Sequence, residues 1–430
     1  MLQNERMNRA LRRLENDLRR RRLPQYADEV RAIAQKGPFY EDKIANLFEL
    51  GHALHFDQID AEIGEALAGK DGDQWIPALR DYSHFSFFRN VIRVAMAVDP
   101  ADISGEYNDV SDLLMRRLDT FIEHKLGESP GEYAVIRLGS KARTGSDLFS
   151  DFDIAVVYQD GLTLEDTLYF EVYAAKLMHL LERVEYKVDF VVRPQNEEKI
   201  RVASERPPEQ GVWRGNGSLS AQAALGMLSA SVGDFGEHLR APATSVIDKN
   251  ALTDIAYILG SPAVVRGLEE QVTKILITDG GKERYLEQVR ERFDERKAGH
   301  DSSAAPDLKQ GYGGLMTITE LNAYLKAVTG ELHSNPPSVW RAAVELGYLG
   351  AEERHALEQA YRNLRYVRNH VHLRQGNLRT YLDGTVSNTL IDTENVARDL
   401  GVKPKRVREL VDKSMDNVRL IVEAVVSRTA

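Results

Sequence analysis

A turn of small and charged residues between two short apolar runs is the feature that most constrains how this chain folds. Residues 139–153 read Gly-Ser-Lys-Ala-Arg-Thr-Gly-Ser-Asp-Leu-Phe-Ser-Asp-Phe-Asp, and the mostly apolar runs Tyr133–Leu138 and Ile154–Tyr158 flank them. Each run has the length and composition of a strand. The sequence therefore predicts two strands whose connection begins with a glycine turn and ends with a pair of carboxylates.

The two carboxylates indicate a cation site. Asp151 and Asp153 are two residues apart at the start of the second run, so strand alternation places both on one face. Two negative charges this close repel each other unless a cation lies between them. Their hard oxygen atoms suit Mg²⁺, which usually binds one or two carboxylates together with the phosphates of a nucleotide.

A third acidic residue follows in an alternating segment. An amphipathic helix is predicted from the spacing of Tyr173, Leu177, Leu180, Leu181 and Val184. After it, residues 186–194 alternate between apolar and polar side chains, which predicts a strand. Asp189 lies on the polar face of this predicted strand and is the candidate third carboxylate.

These features resemble the nucleotidyltransferase superfamily that includes DNA polymerase β. In that superfamily a Gly-Ser turn, an Asp-x-Asp pair and a later strand Asp bind two metal ions and a nucleoside triphosphate. The resemblance implies two Mg²⁺ ions, with Mn²⁺ as an alternative, at Asp151, Asp153 and Asp189. One ion would chelate the triphosphate and the other would activate an attacking hydroxyl group. Asp189 is also a candidate for accepting the proton.

Hydroxyl and cationic side chains near the turn are candidate phosphate ligands. Ser140 follows Gly139 and offers a hydroxyl group and a backbone N–H, and Lys141 and Arg143 come next. A surface turn with incidental charges would explain these residues alone, but not their combination with Ser-Asp-x-Asp and a strand Asp. The predicted nucleotide-binding residues near the carboxylates are Gly139, Ser140, Lys141, Arg143, Ser150 and Arg193.

Three further segments resemble the glutamine synthetase adenylyltransferases. Residues 84–97 are similar to that family's arginine-rich helix, residues 307–319 to its Leu-Lys-x-Gly-x-Gly-Gly segment, and residues 360–365 to its Ala-Tyr-x-x-Leu-Arg helix. In that family the second segment faces the catalytic domain, which makes Lys309 a candidate phosphate or substrate contact. A plain interdomain loop is the alternative. The resemblance covers one catalytic unit, whereas the family enzyme carries two.

Some positions depart from the adenylyltransferase pattern. Residues 139–146 lack the family's Gly-Lys-Leu-Gly-Gly-Arg-Glu-Leu, and Thr317-Ile318-Thr319 stands in place of its Asp-x-Glu. The carboxylates that would bind metal are kept while the motifs on the substrate side differ. Nucleotide chemistry is therefore better supported than the identity of the acceptor.

The resemblance implies a magnesium-dependent transfer of AMP from ATP to a protein hydroxyl group, with glutamine synthetase as the acceptor. Three alternatives of the same fold stay open: an adenylyl-removing phosphorylase, a uridylyltransferase, and a transferase that acts on a small molecule. The last hypothesis is a non-catalytic, nucleotide-sensing scaffold protein. The presence of all three carboxylates argues against it.

Charge and composition restrict the other partners. The net charge of −10 argues against a nucleic-acid-binding protein. The chain has no cysteine, which excludes disulfides, a thiolate nucleophile and cysteine-bound metals. It also lacks a signal-peptide core and any apolar run of about 18 residues. These observations predict a soluble, cytoplasmic protein without membrane contact.

The predicted fold is α+β and mostly helical, with three regions. They are an N-terminal helical region at 1–126, a polymerase β-like nucleotidyltransferase domain at 127–262 and a C-terminal helical bundle at 263–430, with a linker at 127–131. His370 and His372 are two residues apart in a predicted helix and do not share a face, so no metal site is predicted there. Residues 393–410 predict two packed helices, with a DNA-binding helix-turn-helix as the alternative.

Overall fold

The structure is a computed structural model that describes residues 99–143, 153–184, 229–241, 244–300, 305–375, 389–390 and 393–429, together with single positions between 28 and 94. The chain forms two compact units. The first comprises Met1–Met96 and Arg183–Tyr186, and the second comprises Ala97–Glu182 and Lys187–Ala430. In the first unit, the described residues Ile76, Leu79 and Val94 are buried.

A mixed sheet lies in the second unit. The strands described there are β1 (Tyr133–Leu138), β2 (Ile154–Tyr158), β3 (Ser229–Ser231) and β4 (Ile255–Gly260). They lie side by side in the order β3, β2, β1, β4. β1 is antiparallel to both β2 and β4, whereas β3 is parallel to β2. The two strands predicted from the apolar runs are confirmed as β1 and β2.

Helices surround this sheet, and most of the described residues are helical. The described helices of the second unit are α1 (Pro100–Leu126), α2 (Gly139–Ala142), α3 (Leu164–Arg183), α4 (Val232–Arg240), α5 (Val246–Leu252), α6 (Pro262–Thr273), α7 (Gly281–Ala298), α8 (Leu315–Thr329), α9 (Pro336–Glu345), α10 (Ala351–Gln375), α11 (Thr393–Asp399) and α12 (Pro404–Thr429). A π-helical turn, Lys274–Thr278, continues α6. The mostly helical α+β fold class is confirmed. The predicted domain boundaries stay predictions.

The register of the sheet brings the starts of β2 and β4 beside the end of β1. The N–H of Leu138 donates to the carbonyl oxygen of Asp153 at 2.9 Å. On the other side of β1, Leu138 pairs with Ile255. The residues immediately before β2 and β4, Asp153 and Asp254, therefore flank the C-terminal end of β1, where Gly139 follows.

Helices cover both faces of the sheet. On one face, Tyr133 of β1 donates a hydrogen bond to Asp119 of α1 at 2.7 Å, and Tyr158 of β2 stacks on Phe170 of α3 with ring centroids 4.9 Å apart. On the other face, Ala134, Ile136 and Leu138 join the main apolar core, to which α4, α6 and later helices contribute. Burial on both faces accounts for the mostly apolar sequence of β1.

The helices after β4 extend the same core to α12. α7 packs on α8, α8 on α9, and α10 on α12. In the region that the sequence predicts as a helical bundle, α6 with its π-helical continuation and α7 are the first two helices. The two packed helices predicted within 393–410 are confirmed as α11 and the start of α12, with Gly401 between them at a φ of 67°.

Other sequence predictions are confirmed outside the sheet. Tyr173 and Leu177 are buried on α3, as the predicted amphipathic helix requires. Residues 127–131 connect α1 to β1 without regular structure, and their role as a domain linker stays a prediction. His370 and His372 are both buried in α10. Among the described helices, none combines the length and the apolar character needed to cross a bilayer.

Candidate active site

The structure describes some of the predicted site residues and not others. The described ones lie at the end of β1 or in the segment before α8: Gly139, Ser140, Lys141, Arg143, Asp153 and Lys309. The remaining four lie outside the described residues: Ser150, Asp151, Asp189 and Arg193. The geometry of the site is therefore given by the turn after β1 and by Asp153.

Gly139 and Asp153 are neighbours across the sheet. Gly139 has a φ of 61°, in the left-handed region that side chains disfavour. A Cβ atom placed on it would lie 3.3 Å from Oδ2 of Asp153. The single-turn helix α2 begins here, and the N–H of Arg143 donates to the carbonyl oxygen of Gly139 at 3.2 Å. Both the backbone conformation and the approach of the carboxylate therefore favour glycine.

The guanidinium group of Arg143 is held near this carboxylate. Its Nη1 forms an ion pair with Oδ2 of Asp254, and its Nη2 lies 3.5 Å from Oγ1 of Thr319. Burial works against its charge, but Asp254 raises the pKa of Arg143 above the ordinary value. Tyr361 and Asp153 raise this pKa further. Arg143 is therefore a fixed positive charge in the field of Asp153.

Asp254 also pairs with a second positively charged side chain, that of Lys326. The ammonium group of Lys326 donates to Oδ1 of Asp254 and to the carbonyl oxygen of Thr253, both at 2.6 Å. The side chains of Asp254 and Lys326 are only 4% and 1% exposed. Burial lowers the pKa of Lys326, and Asp254 opposes that shift. One buried carboxylate therefore lies between a guanidinium and an ammonium group.

Sequence reasoning missed Asp254 and Lys326. Asp254 precedes a strand in the same way as Asp153, and this position is the one signal that could have marked it. Lys326 lies in α8 between Leu325 and Ala327, both buried, so its burial could have been inferred from its neighbours. Its partner could not, because Asp254 is 72 residues away in the chain.

Lys309 lies in a packed segment before α8. Its N–H donates to Oδ1 of Asp307 at 2.8 Å, and its carbonyl oxygen accepts from the N–H of Met316 at 2.9 Å. Arg296 of α7 holds the same segment by donating to the carbonyl oxygen of Gln310 at 2.7 Å. The phosphate contact of Lys309 stays a prediction, and Thr319 in α8 is the nearby residue that reaches Arg143.

Two family models match separate parts of the chain. Residues 88–190 match a putative nucleotidyltransferase family, DUF294, and residues 282–429 match the GlnD PII-uridylyltransferase model. None of the curated proteins compared with the chain matches it. The chain is an enzyme of the nucleotidyltransferase type. This conclusion disfavours the hypothesis of a non-catalytic nucleotide sensor.

The matches confirm the nucleotidyltransferase resemblance but change its narrower form. They indicate a PII-uridylyltransferase-like nucleotidyltransferase family and do not single out the glutamine synthetase adenylyltransferases. Of the three segments that carry the narrower resemblance, residues 307–319 and 360–365 lie inside the range 282–429, and most of residues 84–97 lies inside the range 88–190. The same segments are thus compatible with either family.

The charged residues at the end of β1 come from both matched ranges. Arg143 and Asp153 lie within 88–190, and Thr319 and Lys326 lie within 282–429. Asp254 lies between the two ranges and contacts residues of both. The turn after β1 and the helices after β4 therefore meet at one buried carboxylate.

Proposed function

We propose that this protein transfers a nucleoside monophosphate from a nucleoside triphosphate to a hydroxyl group of a protein, in a reaction that depends on a divalent metal ion. The observation that carries the proposal is the convergence of Gly139, Asp153 and Arg143 at the end of β1. A glycine turn, a carboxylate and a guanidinium group next to one another suit a metal-bound triphosphate. The family match over residues 88–190 supports the same reaction class.

The donor atoms fit magnesium or manganese. Asp151, Asp153 and Asp189 would supply hard carboxylate oxygens of the kind that both ions prefer. Of these three, Asp153 is described, and its carboxylate faces the Gly139 turn. Among the described residues alone, no cluster of three ligands could hold a metal ion. When bound, the metal would lower the pKa of the attacking hydroxyl group and stabilise negative charge at the α-phosphate.

The chain's own cations would act on the leaving group. In the proposed reaction the acceptor hydroxyl attacks the α-phosphorus, the bond to the β-phosphate oxygen breaks, and pyrophosphate leaves. Arg143 carries a permanent positive charge and its guanidinium group is held by Asp254, so it can hold the β- and γ-phosphates as their charge increases. Ser140, Lys141, Ser150, Arg193 and Lys309 remain proposed nucleotide contacts, and Asp189 remains the proposed proton acceptor.

Two donor and acceptor pairs are proposed, in order of preference. The PII-uridylyltransferase match over residues 282–429 favours UTP as the donor and a PII protein as the acceptor. The resemblance of residues 307–319 and 360–365 to glutamine synthetase adenylyltransferases favours ATP and glutamine synthetase as the second pair. The cysteine-free composition agrees with a reaction in the cytoplasm.

Labelling of candidate acceptors tests this proposal. The protein would be incubated with Mg²⁺ and each of the four α-labelled nucleoside triphosphates, together with a PII protein or glutamine synthetase. Intact-mass spectrometry would identify the adduct, and pyrophosphate release would be measured in parallel. We expect a UMP adduct on the PII protein that disappears in the Asp151→Asn and Asp153→Asn variants.

The other outcomes discriminate among the alternatives. Pyrophosphate release that needs an added small molecule and leaves both proteins unlabelled would identify a small-molecule acceptor and overturn the protein acceptor. Loss of a preformed adenylyl group upon addition of inorganic phosphate would identify an adenylyl-removing phosphorylase. No adduct and no pyrophosphate with any triphosphate would overturn nucleotidyl transfer.

A further inference from the structure

Asp254 lies where a side chain can control the turn after β1. It directly precedes β4, and Ile255 pairs with the last residue of β1. One of its oxygens pairs with Arg143, and the other accepts from Lys326 at 2.6 Å. All three groups are largely removed from water, so their arrangement is set by one another and by the backbone.

A contribution to the stability of the fold does not by itself explain why these charged side chains are buried together. Removing charges from water costs free energy that the attraction between them often only balances, so packed apolar side chains would serve stability equally well. The network instead fixes the orientation of the Arg143 side chain, because a guanidinium group bound at two of its nitrogens is held in one plane. Asp254 takes Nη1 of Arg143, while Thr319 lies 3.5 Å from Nη2.

The net charge of the network also suits a role in ligand binding. Asp254 alone would cancel the charge of Arg143 and leave a neutral pair beside the turn. Lys326 adds a second positive charge to the same carboxylate, so the group of three residues is positive by one unit. This excess charge lies beside the turn after β1, because Arg143 directly follows α2 in that turn and Oδ2 of Asp153 approaches Gly139 at its start. A net positive group at this place attracts an anionic ligand.

We propose that Asp254 is a positioning residue of the active site, which holds Arg143 in the orientation that binds the phosphates of a nucleoside triphosphate, while Lys326 keeps the network positive. This inference rests on the proposed function, since it requires a triphosphate at the Gly139 turn. It extends that proposal by assigning a role to two residues of the buried network, one before β4 and one on α8.

Binding of UTP and ATP in the presence of Mg²⁺, measured by titration calorimetry on the full chain, tests the inference without an acceptor. We expect Asp254→Asn to weaken binding about tenfold, the order of magnitude for disturbing one hydrogen bond to a charged group. Asp119→Asn is the matched control. Asp119 is a carboxylate on α1 that accepts hydrogen bonds from Tyr133 at 2.7 Å and from Tyr173, and Tyr133 begins β1 at the opposite end of the strand from the Gly139 turn. This control should bind the triphosphate like the unmodified chain.

A double-mutant cycle separates positioning from a purely structural role. Arg143→Lys keeps the charge but loses the planar group, and we expect it to weaken binding about as much as Asp254→Asn. If Asp254 acts through Arg143, Asp254→Asn should cause no further loss in the Arg143→Lys background. Additive losses, or unchanged binding in Asp254→Asn, would overturn the inference.

Two further outcomes are informative. If Asp254→Asn does not fold, Arg143→Lys alone decides, because unchanged binding in that variant shows that the orientation of the guanidinium group is irrelevant. If the unmodified chain binds no triphosphate, the proposed function fails and the inference fails with it. Normal binding by the unmodified chain and by Asp254→Asn refutes the inference alone.

Discussion

Nζ of Lys326 lies 2.6 Å from Oδ1 of Asp254, whose other carboxylate oxygen pairs with Arg143. The three side chains come from α8, from the residue before β4 and from the turn after β1. The contact therefore connects the range that matches PII-uridylyltransferase to the range that matches a nucleotidyltransferase. A substitution of one of these three residues should therefore affect the contacts of the other two.

Lys326→Met is predicted to destabilise the fold. The substitution keeps the length of the side chain but leaves the buried Asp254 with a single cation. Removing one partner of a buried ion pair costs roughly 3–5 kcal/mol, and Arg143 still compensates part of the charge. We expect the free energy of unfolding, measured by urea denaturation, to fall by about 3 kcal/mol.

Lys297→Met is the control for this prediction. Lys297 also pairs with a carboxylate, that of Glu423 at 2.7 Å, but both side chains are exposed to solvent. Water screens such pairs, so this variant should unfold at the same urea concentration as the unmodified chain. Equal losses of unfolding free energy in the two lysine variants would show that burial does not strengthen the contribution of the Lys326–Asp254 pair to stability.

Gly139→Ala is predicted to impair activity more than stability. The left-handed φ costs about 1 kcal/mol for a residue with a side chain. The added methyl group would also press on Oδ2 of Asp153, which is 3.3 Å from the ideal Cβ position. Small displacements of a reactive group have large kinetic effects, so we expect nucleotidyl transfer to fall roughly tenfold or more.

Gly401→Ala provides the comparison for Gly139→Ala. Gly401 has a φ of 67°, close to the 61° of Gly139, and nothing lies within 4 Å of its ideal Cβ position. The two variants should therefore lose similar thermal stability, whereas only Gly139→Ala should lose pyrophosphate release. An equal effect on activity in both would assign the loss to backbone strain and not to Asp153.

The sequence predicted β1 and β2 because local signals determine both. Each is an apolar run bounded by turn residues, and the structure reproduces their limits at Tyr133–Leu138 and Ile154–Tyr158. β3 has no such signal, since it reads Ser-Ala-Ser. It is a strand because it pairs with β2 and because Glu171 of α3 accepts hydrogen bonds from Ser229, and both are tertiary effects.

In the candidate site, too, the residues with a local sequence signal could be predicted, and the long-range contacts could not. The glycine turn and Asp153 could be predicted because each directly adjoins an apolar run that forms a strand: Gly139 follows β1, and Asp153 precedes β2. The sequence predicts Arg143 as a phosphate ligand but gives no sign of its carboxylate partner, Asp254, which is 111 residues away in the chain. The buried neighbours of Lys326 indicate that its side chain is buried, but no residue near it in the sequence indicates its partner Asp254. Contacts of this range leave no local pattern in a single sequence.

His333 is predicted to make stability depend on pH. Burial lowers its pKa from 6.5 to about 4, and Nε2 lies 3.1 Å from the carbonyl oxygen of Glu269. Between these values the unfolded chain binds a proton that the folded chain does not, so stability falls as the pH decreases from 6.5 to about 4. The slope should be about 1.4 kcal/mol per pH unit.

The effect of His333 is measured by difference, because Asp112 titrates in the same range. Burial raises the pKa of Asp112 to about 6, and its contribution has the opposite sign: its folded form gains stability relative to the unfolded chain as the pH falls. Subtracting the unfolding free energies of His333→Gln from those of the unmodified chain removes the Asp112 contribution. The difference should be constant above pH 7 and should decrease below it; a flat difference down to pH 4 would contradict the predicted shift.

Replacing Asp153 by cysteine is predicted to change which metal ion supports catalysis. The chain has no cysteine of its own, so Asp153→Cys introduces a single thiol at the proposed metal site. With Mg²⁺, a hard ion that prefers oxygen, we expect pyrophosphate release to fall roughly a hundredfold or more. Softer ions accept thiolate ligands, so Cd²⁺ or Mn²⁺ should restore part of the activity in Asp153→Cys. Asp153→Asn, which offers no thiolate, should not recover. Full activity of Asp153→Cys with Mg²⁺ would exclude Asp153 as a metal ligand, and an equal response of both variants to Cd²⁺ would assign the recovery to another site.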